Sequence, residues 1–439
     1  MSKSIQQLYK AEIQARNFVQ SYLPIRNKGH EFDFSAIAGA VGATLIRKKL
    51  PKSYSIEDFE NQCLTRFKWK ITDQAFLGIL KQMYFTGDGL LQVSPLFYIF
   101  DSINSKQSGD KHMSALFQNM IIAENNNGIK ISSSENFLEK EILNEFKSNL
   151  ITHDYKLEEQ PYLPFLSDYF VKDIKFLASS SKYYLVSVEK FLKLYGFLYT
   201  SQLALNLNGW TEIPKTKPLH FILDTEKASS ERLDVKRAYN TLKKTVADLF
   251  PVLSILEYFN QDLSIKRGLW SHYDDYITAP EYDSAQLTES IISFLKNYRD
   301  VRGLGYENLD DLDGRELFVK ITKAAKDVFN DQKRRPGPFD VNKKYIKAIM
   351  NDIASHFVQQ RGRSGYVLVV NQDNLLLLTN IVIGYNDRLP FRELLDGFKE
   401  RGMWFDSQSE VALINFYERV GNVERMSDSG DAVYVRKTI

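Results

Sequence analysis

Asp224 and the triplet Asp234-Val-Lys236 are the residues whose types come closest to a catalytic set. Two carboxylates and a lysine around a divalent cation can cut a phosphodiester, provided that converging strands bring them to one metal. His220-Phe-Ile-Leu-Asp224 suits the first such strand. The second pair sits in Ser229-Ser-Glu-Arg-Leu-Asp-Val-Lys-Arg-Ala, which reads as a capped helix. Helix capping and surface charge therefore fit Asp234 and Lys236 better than a nuclease centre. Cys63 lies among Phe59, Leu64 and Phe67, a pattern of buried helix rather than of an activated nucleophile.

Other chemistry lacks its motif. There is no G-x-x-x-x-G-K-[ST] loop for nucleotide phosphates and no H-E-x-x-H pair for zinc. Gly362-Arg-Ser364-Gly does not have the spacing of a nucleophile elbow. His30, His112, His153, His220, His272 and His356 are scattered, without ligand-like pairs. Asp311-Leu-Asp313-Gly314 fails as a calcium loop, because Leu309 stands at the first ligand position and Lys320 at the closing one. The expectation is a chain with no catalytic residue, no cofactor and no metal.

Two sets of residues suit nucleic acid better. The stretch from Lys333 to Gly365 carries Lys333, Arg334, Arg335, Lys343, Lys344, Lys347, Arg361 and Arg363 against Asp340 and Asp352. Such density suits phosphate contact, and equally a solvated linker face. The second set is the outward stripe Gln408, Val411, Asn415 and Arg419 of a helix near the C-terminus. Gln, Asn and Arg can read base edges. Yet Asp406, Glu410, Glu418, Glu424, Asp428 and Asp431 surround that stripe, opposed by Arg419 and Arg425 before Arg436 and Lys437. Acidic groups repel a phosphate backbone, which favours a protein-interaction role for this part over a DNA reader.

The elements that must position these residues are mostly helical. Residues 1–100 read as helices with short breaks. Ser35-Ala-Ile-Ala-Gly39-Ala-Val-Gly42-Ala predicts a helix packed closely on a neighbour, followed by the basic run Arg47-Lys48-Lys49. Thr86-Gly-Asp-Gly89 is a turn signal. Gly109-Asp110, Asn125-Asn-Asn-Gly128 and Ser132-Ser-Ser134 place loops over 102–135. Helix resumes from Pro161 and Pro164 to about 206, with Tyr183, Tyr184, Phe191, Leu194 and Phe197 inward. Residues 230–300 return to helix, with loops near 264–285. Lys333-Arg-Arg-Pro-Gly-Pro338 reads as a linker.

From Tyr366 the order is strand, helix, helix, helix, hairpin. Tyr366–Val370 is β-branched; Asp373 or Asn374 caps a helix that Gly384 stops. Pro390 opens a second, with Phe391, Leu394, Leu395 and Phe398 inward. Asp406 or Ser407 caps a third, with Leu413, Phe416, Tyr417 and Val420 inward, and Gly421 stops it. Val423–Met426 and Ala432–Val435 make a hairpin. This is the order of a winged helix-turn-helix. The fold expected is mainly α. It has a helical N-terminal domain (1–100), a helical central domain with loops (101–332), a basic linker or helix (333–365) and a winged-helix-like module (366–439).

The chain has 439 residues, 44 % of them hydrophobic and 13 % aromatic, enough to fill a core. Its 57 Lys+Arg nearly balance 55 Asp+Glu, so any grip on nucleic acid must be local. One cysteine, a polar N-terminus and no run of apolar residues long enough for a membrane predict a soluble cytoplasmic protein.

Asn422-Val-Glu-Arg-Met-Ser-Asp-Ser-Gly-Asp-Ala-Val-Tyr-Val435 resembles the G subunit of DNA phosphorothioation-dependent restriction systems (the DptG or DndG family). Leu375-Leu-Leu-Leu-Thr-Asn380, Gly402-Met-Trp-Phe-Asp406 and Leu23-Pro-Ile-Arg-Asn-Lys-Gly29 look similar too. The resemblance covers both ends and is thin between them. It implies a non-catalytic subunit of an antiphage complex that restricts DNA lacking the backbone sulfur. It also implies F and H subunits as partners, which look like the ATP-using components. A stand-alone winged-helix regulator and a metal-dependent nuclease are the alternatives.

Overall fold

A computed structural model describes residues 3–6, 8–13, 21–26, 31–105, 107–124, 128–129, 131, 136–207, 210, 212–229, 231–261, 263–310, 312–426 and 432–439. The side chains of 3, 4, 281–283, 363, 426 and 432 lie outside that description. The fold is mainly helical, with 64 % helix against 7 % strand. The first helices are α1 (Lys3–Gln6), α2 (Phe34–Leu45), α3 (Ile56–Lys70), α4 (Gln74–Tyr84), α5 (Gly89–Val93), α6 (Tyr98–Asn104), α7 (Ser108–Glu124) and α8 (Phe137–Ser148). Then come α9 (Pro164–Ala178), α10 (Ser181–Asn206), α11 (Leu233–Leu253), α12 (Leu256–Phe259), α13 (Leu269–Ile277), α14 (Glu281–Val301), α15 (Gly314–Asn330) and α16 (Pro336–Ala348). The last three are α17 (Gln372–Ile383), α18 (Phe391–Glu400) and α19 (Ser407–Arg419). The strands are β1 (Lys48–Lys49), β2 (Ile151–Thr152), β3 (Phe221–Leu223), β4 (Val358–Gln360), β5 (Tyr366–Val370), β6 (Arg388–Pro390), β7 (Val423–Met426) and β8 (Ala432–Arg436).

Local chemistry accounts for much of this. A Cβ on Gly39 would lie 1.9 Å from the carbonyl oxygen of Tyr98, so a glycine is what lets α2 meet α6. Asp313 caps α15 in a reciprocal capping box with Glu316, which accounts for that carboxylate of the sequence resembling a calcium loop; Asp311 lies outside the described residues. Pro336 sits in the first turn of α16, where its missing N–H costs nothing; the expected linker therefore begins a helix.

Several expectations are corrected. Gly109 and Asp110 do not mark a loop: they lie buried in the first turn of α7, which occupies 108–124. α13 fills part of the loop expected near 264–285. The cap of α17 is Asn371, and Pro390 closes strand β6 instead of opening α18's first turn. Val420 is exposed, whereas Leu413, Phe416 and Tyr417 are buried as expected.

One hydrophobic cluster runs from Ile5 to Val435 and holds the C-terminal helices in the same core as α9, α10 and α11. A second, rich in phenylalanine, joins α3, α4 and α6 to α8. The sheet order β3-β5-β4 carries one long-range parallel pairing, Phe221 opposite Leu368. The sheet order β6-β8-β7 is antiparallel throughout.

Candidate nucleic-acid interface

The basic stretch divides into groups with different surroundings. Asp331 accepts hydrogen bonds from the Lys333 and Arg334 backbone N–H groups, which fixes the turn before α16. Arg335 pairs with Asp331 and donates to the carbonyls of Arg302 and Gly303, so its charge serves the fold. Lys333 and Arg334 keep exposed side chains. Along α16, Asn342, Tyr345 and Ala348 are buried. Asn342 Nδ2 donates to Ala247 O of α11 at 3.0 Å, and the Tyr345 ring lies 5.4 Å from Phe250. That seating turns Lys343, Lys344 and Lys347 outward, exposed and without an ion pair among the described residues.

Arg361 is placed differently. It is half-buried, donates to the carbonyl of Asp224 at the end of β3, and its Nε is buried without a hydrogen-bond partner among the described residues. The Arg363 side chain is outside the described residues.

α11 adds cations that the sequence reading passed over. Val235, Ala238, Leu242, Val246 and Leu249 face the core, and Lys236, Arg237, Lys243 and Lys244 are exposed, without an ion pair among the described residues. The signal was available, because the pairs 236–237 and 243–244 stand seven residues apart and so share a helix face. Asp234 and Lys236, considered for a nuclease, are both exposed at the start of α11, which begins at Leu233 behind Arg232 with no side-chain cap. Asp224 is half-buried, with Oδ1 buried and without a hydrogen-bond partner among the described residues. Among the described residues, no three His, Cys, Asp or Glu side chains gather to hold a metal ion. Cys63 is buried, and burial pushes its thiol up to about 12. His272 is buried and neutral, its pKa pushed down to about 3 by burial.

α19 is anchored at its first turn. Asp406 caps it by accepting from Ser409 N at 2.9 Å. Arg232, 6 % exposed, grips both oxygens of Asp406, with Nε to Oδ2 at 2.7 Å, and donates to Ser409 Oγ and Glu226. Burial alone would raise the Asp406 carboxyl; hydrogen bonds from Arg232 and the Ser409 backbone outweigh it and hold the group below its ordinary value. Gln408, Val411, Asn415, Glu418 and Arg419 are exposed along the helix.

The acidic surroundings of α19 are largely spent. Asp406 is held by Arg232, Glu418 by Arg425, and Glu424 by both Arg388 and Arg436. Asp428 and Asp431 lie outside the described residues. Repulsion of phosphate by this surface is therefore weaker than the bare sequence implies.

α11 relates the two candidate sets. Arg232, just before its first turn, holds α19, and Ala247 receives α16. At 1.5 Å per helical residue these junctions stand about 22 Å apart along the axis. The four exposed cations of α11 fall in that interval. No protein-family model matches the chain, and no curated protein matches it.

Proposed function

We propose that this chain is a non-catalytic, DNA-contacting assembly subunit, and that phosphate backbone is met along α11 and α16. The observation that carries the reading is the group of exposed cations Lys236, Arg237, Lys243, Lys244, Lys343, Lys344 and Lys347, without an ion pair among the described residues, on two helices packed together. Exposed carboxylates on the same helices are few, Asp234 and Asp340. Ammonium groups that are hydrated and unpaired release counterions from DNA at little cost to the fold.

The C-terminal elements support a winged helix in this reading. Helix α17, strand β6, helices α18 and α19, and the β7–β8 hairpin follow the order of that fold, with β8 between β6 and β7. α19 would be its outward helix, with Gln408, Asn415 and Arg419 available to base edges. The resemblance to the phosphorothioation-dependent G subunit extends the proposal to a cytoplasmic restriction complex with F and H subunits as partners.

Titration of duplex DNA with the full chain across a salt series tests this. Expected is binding at low salt whose logarithm falls linearly with the logarithm of salt concentration. Absence of binding at low salt would remove direct contact and leave DNA to the partner subunits.

A further inference from the structure

A cleft between α11, α14, α15 and α16 has a volume of about 400 Å³ and is lined by both Arg26 and Arg302. Sites for small ligands begin at roughly this size. The two guanidinium groups are held by few contacts. Arg26 Nη1 pairs with Glu257 Oε1 at 3.1 Å, and Arg302 Nη2 donates to the Tyr258 hydroxyl at 2.9 Å. The Nε of each is buried without a hydrogen-bond partner among the described residues. Among the described residues that line it, two cations thus share one cleft with one carboxylate, Glu257. In a partly desolvated cleft that excess charge acts more strongly than on an open surface.

The rest of the lining is mostly apolar, with Phe250, Phe329, Leu253, Val328 and Val341 among its walls. Ser254 already donates its hydroxyl to Pro251 O. A nucleobase, which needs several partners along its edges, finds few here. An alkyl or aryl body with one anionic head finds what it needs.

We propose that this cleft binds an amphiphilic anion, with a carboxylate or phosphate head between Arg26 and Arg302 and an apolar body against Phe250, Phe329 and Val341. The site is separate from the exposed lysines of α11 and α16 and does not rest on their contact with DNA. It would let a small metabolite or lipid-derived acid stiffen the packing of α16 on α11.

The test is calorimetric titration of the full chain with decanoate, decyl phosphate and uncharged decanol. Both anions should bind, decanol at least tenfold more weakly, and the stronger anion identifies the head. Arg302→Gln should weaken the anions about tenfold, the usual worth of one charge-assisted hydrogen bond, and leave decanol unchanged. Val341→Trp, which fills the cleft from its apolar wall, should abolish binding while the circular dichroism spectrum stays native. Equal affinity for decanol and decanoate, no anion binding to the wild type, or full affinity in both folded variants would overturn the proposal.

Discussion

The cations of the C-terminal elements and those of α11 and α16 are put to opposite uses. In the first region, most arginines are paired internally. Arg401, 1 % exposed, makes two hydrogen bonds of 2.6 Å to the fully buried Asp173 of α9, and a third to Gly397 O. Tyr195 donates to the same carboxylate. Gly402 follows with φ +91° and presses against Gln202, where a side chain would collide. Arg388, Arg425 and Arg436 are likewise paired, and Arg232, just before α11, reaches across to Asp406 of this region. In the second region, the lysines of α11 and α16 touch no carboxylate among the described residues. Charge that holds a fold together should cost stability when removed, and charge held free for a ligand should cost only binding.

Arg401→Met should give the largest loss. It leaves Asp173 charged and uncompensated in the core, at about 3–5 kcal/mol. Denaturant unfolding measures this, and the double variant Arg401→Met with Asp173→Leu should recover part of it. A loss below 1 kcal/mol would mean that the pair is not buried as described.

Asp406→Ala comes next. It removes the cap of α19 and one partner of Arg232, and a lost N-cap costs about 0.5–2 kcal/mol. The native carboxyl is held below its ordinary value, so its contribution is complete above the unfolded pKa, near 4. It disappears as pH falls through the lower, folded value. Melting temperature against pH should therefore fall more steeply below pH 4 in the wild type than in Asp406→Ala. Parallel curves would show that Arg232 does not stabilise the ionised form.

Glu424→Gln should change stability little, because its pairs with Arg388 and Arg436 lie near the surface. It frees two arginines on the β6-β8-β7 sheet, so DNA affinity should rise if that sheet lies beside the duplex. Unchanged affinity would place that sheet away from the duplex. Smallest in stability should be Lys343→Gln, Lys344→Gln and Lys347→Gln together, within about 0.5 kcal/mol per site.

What the sequence disclosed follows the range of the forces. The strand at Tyr366–Val370, the hairpin, the Asp406 cap and the buried stripe of α10 are set by neighbours in the chain, and all were readable. The helix at 108–124 was not, because Gly109 and Asp110 look like loop residues and become helical only by burial in tertiary contacts. Pairing of Phe221 with Leu368 joins strands far apart in sequence and leaves no local trace. The same is true of Arg232 with Asp406. Lys343, Lys344 and Lys347 were singled out by composition alone. Lys236, Arg237, Lys243 and Lys244 were missed because Glu231 and Asp234 dilute them in sequence, whereas packing shows which of them stay exposed.

The salt dependence of duplex DNA binding by the wild type and by the triple variant Lys343→Gln, Lys344→Gln, Lys347→Gln tests the central claim most directly. If each lysine neutralises one phosphate, the slope of log affinity against log salt should fall by about three, with the melting temperature unchanged. An unchanged slope, with wild-type affinity at every salt concentration, would contradict phosphate contact through α16.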